Sequence, residues 1–489
     1  MVTKLISSVF TKTFWADIRV LIAVVFFVRL WGVSSSPLDR LDAWRQSITA
    51  MTTRNLLEGS PNLFFPRIDF AGDLTGIVGM EFPVYNAITA LLVCVTGLEL
   101  GSAEMIARLL NMVVTSVGCF FFHKSVKEFV SKDIALPAAV LLLCSLWMLY
   151  SRKIMPDTFA GGLGLVGTYH GLRYAAHGAR GALAKFVLLM SLAMLSKISV
   201  AFMLLYPPWL LLRNGGLASR RMLALTAGVG CSLMLVVLWY FWWVPKLNAQ
   251  FGFEHFFMGR PLGEGWSQII QNGSQTFERF TKVSIGYSGS VLLFIGLLSS
   301  VWKRNGYLAW IFVGGLAAFM PFVIKSGFNF FHHNYYVIPF VPVLCVLAGQ
   351  GAYVLKQRGV MGWVLPLIFS VFFLEQGARV VRDLNAKNDH LLTLSSRLDA
   401  VSARQDLILI NSGDDPTPMY FAHRKGWLAH DSQIRSVSYL ADLEAKGLRF
   451  VVLIQSPNGV PNMQPGLPVV YQDEHFVIQK IVRTATPNP

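Results

Sequence analysis

Apolar residues fall along the chain in long blocks separated by short polar gaps, and Lys and Arg collect in alternate gaps. A helix that crosses a membrane needs about 20 mostly apolar residues. The pattern predicts eleven such segments, at roughly 15–33, 104–122, 134–151, 157–175, 183–197, 198–212, 222–244, 287–302, 307–325, 336–354 and 361–378. The pair within 183–212 is divided at Ser196-Lys197 into two short spans. The first segment lacks a small-residue cleavage site and ends in Arg29-Leu30-Trp31, which reads as an uncleaved helix and not a signal peptide. A further apolar stretch, 83–98, breaks the alternation of charge if it spans. As a helix lying along the interface, it restores that alternation.

With that assignment the basic gaps hold Lys4 and Lys12; Lys124, Lys127 and Lys132; Arg173, Arg180 and Lys185; Arg213, Arg220 and Arg221; Lys303 and Arg304; and Lys356 and Arg358. Positive loops face the cytoplasm. The expected topology therefore has a cytoplasmic N-terminus, with 34–103, 152–156, 245–286, 326–335 and the tail from about 379 on the opposite, outer side of the membrane. The tail changes character. Strand-like runs at Asp406–Asn411, Phe450–Gln455 and Phe476–Val482, with a helical run at Val437–Lys446, predict a small soluble α/β domain. The domain plan is thus 1–380 in the membrane and 381–489 outside it.

Composition agrees with a polytopic α-helical membrane protein: 54% of the residues are hydrophobic and only 14% charged, against about a quarter charged in soluble domains. The net charge of +15 sits in inter-span clusters, which argues against a nucleic-acid partner. All five cysteines lie in apolar stretches without metal-ligand spacing, as small buried side chains.

On the expected outer side, acidic, basic and aromatic residues gather in short motifs. The first loop contains Asp39-Arg40-Leu41-Asp42-Ala43-Trp44-Arg45-Gln46, opening a helix of mixed polarity over Asp42–Leu57 with Trp44 and Met51 toward lipid. Glu81-Phe82-Pro83 follows; then Arg152-Lys153-Ile154-Met155-Pro156-Asp157, Glu254-His255 with Arg260, and His332-His333-Asn334-Tyr335-Tyr336. Each has a plain structural explanation: Asp39, Asp42 and Asp157 as helix caps, and the His-Tyr run as an interfacial belt.

Together, in this order and topology, the motifs resemble the polyprenyl-phosphate-sugar-dependent glycosyltransferases of the membrane C-type fold, the superfamily of protein O-mannosyltransferases and the lipid A aminoarabinose transferase. The resemblance covers about 380 residues. It implies catalytic carboxylates at Asp42 and Asp157, with Asp39 the alternative to Asp42. It implies a metal ion (zinc, magnesium or manganese) at Glu81 and His255, and donor-phosphate contacts from Arg260, Tyr335 or Tyr336, with Arg152 and Lys153 next in line. The chain departs from the family pattern at Ala43, where relatives carry Glu, at Ile48, where many carry an acid, and in lacking a Lys after Glu-x-Pro.

The chemistry implied is inverting transfer of a sugar from a polyprenyl-phosphate donor to a lipid, protein or glycan acceptor, with a carboxylate as general base and cations on the leaving phosphate. A transporter or flippase for lipid-linked sugars is the rival. It would place functional charges inside the bundle and show repeated halves. The apolar segments carry almost no acids and show no duplicated pattern.

Overall fold

The computed structural model describes residues 17–482, apart from 40, 218, 256–258, 303–305, 360–363, 385–388 and 456–465. Lys4, Lys12, Lys303 and Arg304, assigned above to basic gaps, lie outside the described residues. Contacts divide the chain into two compact units. One comprises residues 1–34, 105–242 and 257–382, the other 35–104, 243–256 and 383–489.

The first unit is helical. Among the described residues five helices are long and apolar enough to cross a membrane: Ala103–Phe129, Arg220–Phe251, Gly273–Trp302, Gly306–Ser326 and Asn334–Gln357. This makes the chain a multi-pass helical protein. Two more expected spans are continuous helices, Pro156–His177 and Val364–Leu384, and the remaining ones are shorter or interrupted. The segment 134–151 divides into Lys132–Leu143 and Leu146–Tyr150, where the Ser145 hydroxyl accepts from the Trp147 amide and caps the second piece. Arg180–Ser196 stops where Lys197 turns to extended backbone, before a 3-10 stretch at Ile198–Leu205. Glycine sets the closest helix approaches. A Cβ on Gly118 would lie 2.7 Å from the Cα of Gly162, and one on Gly351 only 2.0 Å from the Leu292 carbonyl oxygen. Small residues at such crossings let backbones pack where no hydrophobic gain drives association.

The helix Val84–Thr96 has 13 residues, about 20 Å at 1.5 Å per residue, well short of a hydrocarbon core of about 30 Å. Leu91 and Val95 are exposed on it. Its length suits a helix lying in the interface.

The second unit holds a five-stranded sheet of β1 (Leu407–Ile410), β2 (Gly426–Leu428), β3 (Leu448–Ile454), β4 (Val469–Gln472) and β5 (Phe476–Lys480). Their order is β2-β1-β3-β5-β4. β1 is parallel to both β2 and β3, and β5 pairs antiparallel with β3 and β4. Three strands and the helix Val437–Ala445 match the tail as read from sequence; β2 and β4 are additional. The tail does not stand apart from the first loop. Gly426 donates its amide to the Asp69 carbonyl and accepts from the Gly72 amide. Arg54 pairs with Asp69 at 2.7 Å, donates to the Tyr420 carbonyl, and lies 4.6 Å above the Tyr420 ring.

The helix Ala43–Glu58 is of mixed polarity, and ten of its residues are buried. Its hydroxyls are satisfied locally: Thr49, Thr52 and Thr53 each donate to the carbonyl four residues back. Met51, expected toward lipid, is instead fully buried in a core with Ile48, Ile68, Val78, Ile408 and Met419, and Trp44 packs against that core. The apolar partner for this face comes from the tail, which sequence periodicity of the loop alone does not reveal.

Candidate functional site

Two clusters contain most of the singled-out residues, one in each unit. In the second unit the cluster begins at Asp42, which precedes Ala43–Glu58 with left-handed backbone angles (φ 62°, ψ 30°) and makes no side-chain capping bond to the helix. Only Asp42 and His423 adopt positive φ among the described residues other than glycine. Such a conformation costs about 1–2 kcal/mol for most residues, somewhat less for Asp. The simple capping role is therefore not what Asp42 performs. The Leu41 amide before it donates to Asp383 at 2.9 Å, which fixes the approach of the chain. Asp39 is buried and accepts from Gln46 Nε2 at 2.9 Å, a positioning bond for the turn.

One helical turn on, Arg45 donates to Glu81 Oε1 at 2.5 Å, with both side chains only 7% exposed. Glu81 is thus held by a guanidinium. His255 lies edge-on to Phe70 with ring centres 5.1 Å apart. Burial and the nearby Arg45 charge push its pKa down to about 4, against the opposing pull of Glu81. The ring is neutral at pH 7, the form that ligates metals. The donor set is nevertheless short. Zinc takes three or four protein ligands, and no group of three or more His, Cys, Asp or Glu side chains is gathered among the described residues. Glu81 and His255 do not by themselves fit a metal ion, and no step is derived through one.

The cluster in the first unit is built on the turn between Leu146–Tyr150 and Pro156–His177. Asn111, from inside a spanning helix, donates to the carbonyls of Lys153 and Met155 and to the Thr158 hydroxyl. This clip fixes the turn. Asp157, in the first turn of Pro156–His177, is 1% exposed. Its Oδ1 lies 3.4 Å from Lys197 Nζ, and its Oδ2 has no hydrogen-bond partner among the described residues. The break after Ser196 delivers Lys197 there. The same ammonium stands 5.7 Å from the Tyr335 ring centre and 5.6 Å from that of Tyr336. Lys153 is fully buried, 5.5 Å from the Tyr150 ring, which packs on Tyr335 with centres 6.2 Å apart. Two ammonium groups, a carboxylate and three phenols thus form one contiguous polar patch.

Arg152 and Arg260 are occupied differently. Arg152 donates to the Trp31 carbonyl, beside Arg29, which reaches the Ser151 hydroxyl at 2.6 Å. Arg260 pairs with Glu264 at 3.6 Å on an exposed face, and its amide donates to the Lys325 carbonyl. Sequence reasoning did not assign roles to Lys197, Arg45 and Asn111. Signals existed for each: a Lys at a helix break, an Arg in the Trp-Arg-Gln run, and an amide side chain inside an apolar span.

No protein-family model matches the sequence, and no curated protein matches it. Solved structures do match. The chain superposes on ArnT from Cupriavidus metallidurans bound to undecaprenyl phosphate with a TM-score of 0.62 at 16% identity, over 98% of this chain and 100% of that one. It also matches the oligosaccharyltransferase AglB from Archaeoglobus fulgidus in complex with an inhibitory peptide and a dolichol-phosphate, at TM-score 0.52 and 12% identity, over 91% of this chain and 70% of that one. The Archaeoglobus fulgidus oligosaccharyltransferase in complex with Zn and sulfate gives TM-score 0.52 and 11% identity, over 88% and 67%. The chain shares the fold of these structures.

Proposed function

We propose that the protein is an inverting glycosyltransferase that moves a sugar from a polyprenyl-phosphate donor to an envelope acceptor on the outer face of a bacterial inner membrane. The observation that carries this reading is the match of nearly the whole chain to a structure captured with undecaprenyl phosphate, combined with the carboxylates and cations that cluster within each unit at the motif positions. In this reading the N-terminus is cytoplasmic, and the α/β part containing 381–489 is periplasmic.

Asp42 is the general base. It stands at the start of the buried helix in the Trp-Arg-Gln motif, and its carboxylate takes the acceptor's proton. The acceptor hydroxyl oxygen attacks the anomeric carbon, its proton passes to the carboxylate, and the bond from that carbon to the phosphate oxygen breaks. Polyprenyl phosphate leaves with the electron pair. Attack opposite the leaving group inverts the anomeric configuration.

Lys197 and Lys153, backed by Tyr335, Tyr336 and Tyr150, stabilise the charge that develops on the departing phosphate. Asp157 holds Lys197 in place. Arg260, already paired with Glu264, would join only by exchanging that partner for phosphate. The sugar and the acceptor (lipid A, exported protein or polysaccharide) follow from mass spectrometry of envelope lipids and glycoproteins in a deletion strain.

The direct test uses purified protein in liposomes with radiolabelled polyprenyl-phosphate sugar and an envelope acceptor extract. Label should move covalently to acceptor in step with release of polyprenyl phosphate. Movement of intact donor across the bilayer without consumption would establish the flippase instead. A chelator tests the metal: loss of transfer together with His255→Ala would assign Glu81 and His255 to it, and unchanged transfer would leave Glu81 with Arg45 alone.

A further inference from the structure

The helical unit contains an open apolar cavity that the proposed chemistry does not use. Its walls include Phe122 and Phe129, Leu172, Met203, Ile311 and Val343. Thr168, also in the wall, lies twelve residues beyond Pro156 on the helix Pro156–His177, about 18 Å along the axis from the end carrying Asp157. The cavity therefore belongs to the other half of the bundle, the half whose gaps carry Lys124, Lys127 and Arg213.

Two polar atoms in this lining lack hydrogen-bond partners: Thr168 Oγ1 and Trp209 Nε1, both buried. Thr168 is only 8% exposed, and the Trp209 indole is fixed by stacking on Trp310 at 3.7 Å. Buried donors left unpaired are costly and call for a partner. Charged groups border the cavity. The Arg213 guanidinium lies 4.1 Å over the Tyr307 ring, which lines it, and Lys124, next to the lining Ser125, stands 4.8 Å from the Tyr169 ring. The Tyr169 hydroxyl in turn donates to Glu128.

We infer that this cavity is a binding site for one acyl chain of an anionic glycerophospholipid from the leaflet on the Lys/Arg-rich side. The apolar walls take the chain. The ester carbonyl at the head of that chain accepts from Thr168 Oγ1 and Trp209 Nε1. The phosphate faces the Arg213 and Lys124 border, where basic side chains attract anionic lipid. A polyprenyl phosphate would satisfy the apolar walls but has no carbonyl for the two donors. This assignment is independent of the glycosyltransferase reading.

The test is native mass spectrometry of the full-length protein delipidated in detergent and titrated with phosphatidylglycerol. The ester-linked lipid should be retained at one equivalent after collisional activation. The ether-linked analogue, with the same tails and phosphate but no carbonyl, should bind about tenfold more weakly, the value expected for losing one to two hydrogen bonds. Thr168→Val with Trp209→Phe should reduce the ester lipid to the ether level and leave ether binding unchanged. Equal retention of ester and ether lipids by the wild type overturns the assignment even if the double variant fails to fold. So does preferential retention of polyprenyl phosphate over the ester lipid, or retention of no lipid.

Discussion

Replacing Asp157 by Asn separates holding a cation from serving the reaction. Asn keeps the side-chain shape and removes the charge 3.4 Å from Lys197. At that distance and an effective dielectric near 20, the lost attraction is about 5 kcal/mol. The Tyr335 and Tyr336 rings, 5.7 and 5.6 Å from the same ammonium, retain about 1–2 kcal/mol of cation–π attraction. That attraction is common to both proteins, so the loss stays near about 5 kcal/mol, the upper end of the range for stripping one partner from a buried pair. Thermal melting in detergent should show a clear drop for Asp157→Asn and a similar one for Lys197→Met. The double variant should recover most of the loss, since no lone buried charge remains. Sugar transfer should stay about 10²–10⁴-fold down in all three, because stability alone does not restore the phosphate contact. If Asp157→Asn melts and turns over like wild type, or if the double variant loses the full sum of the singles, the pair is neither structural nor functional as described.

At Asp42, Asn should lower turnover about 10²–10⁴-fold with normal membrane insertion, while Gly should be equally inactive yet more stable by up to about 1 kcal/mol because it accepts the left-handed backbone; wild-type activity in Asp42→Asn would transfer the role to Asp39. For His255 the folded-state pKa of about 4 lies below the usual 6.5 or so, so the unfolded chain takes up its proton first. Its contribution is fully present above pH 6.5 and is lost as pH falls toward 4; the melting temperature should decline across that window in wild type and less in His255→Gln, and parallel pH curves would refute the assignment. Reporter fusions should place residues near 60, 270 and 420 outside and those near 128, 217 and 357 inside, and an inside location for 420 would mean a miscounted span.

Hydrophobic periodicity and the charge of the gaps were enough to expect a multi-pass helical protein with a strand-bearing tail, because both obey rules local to each segment. The short helix at Val84–Thr96 was legible through charge alternation, a rule of the whole chain. What escaped was everything that needed two distant segments. Met51 reads as lipid-facing until Ile408 and Met419 are beside it. Glu81, expected as a metal ligand, also carries Arg45, a contact that the sequence does not show. Lys197 was visible only as a flaw in an apolar run, although that flaw is what lets it meet Asp157. The edge strands β2 and β4 have only three and four residues, too few for alternation to register.

The joining of residues 35–104 and 383–489 in one unit has a consequence for biosynthesis. The helix that follows Asp42 emerges early, but the core that buries Ile48 and Met51 needs Ile408, Met419 and Phe476. At about 5–20 residues per second, roughly 20–90 s of translation separates the two. Through that interval the nascent first loop carries an uncovered apolar face and an unsupported turn at Asp42. Under the proposed function, a chain stalled before residue 400 should therefore be inactive in sugar transfer.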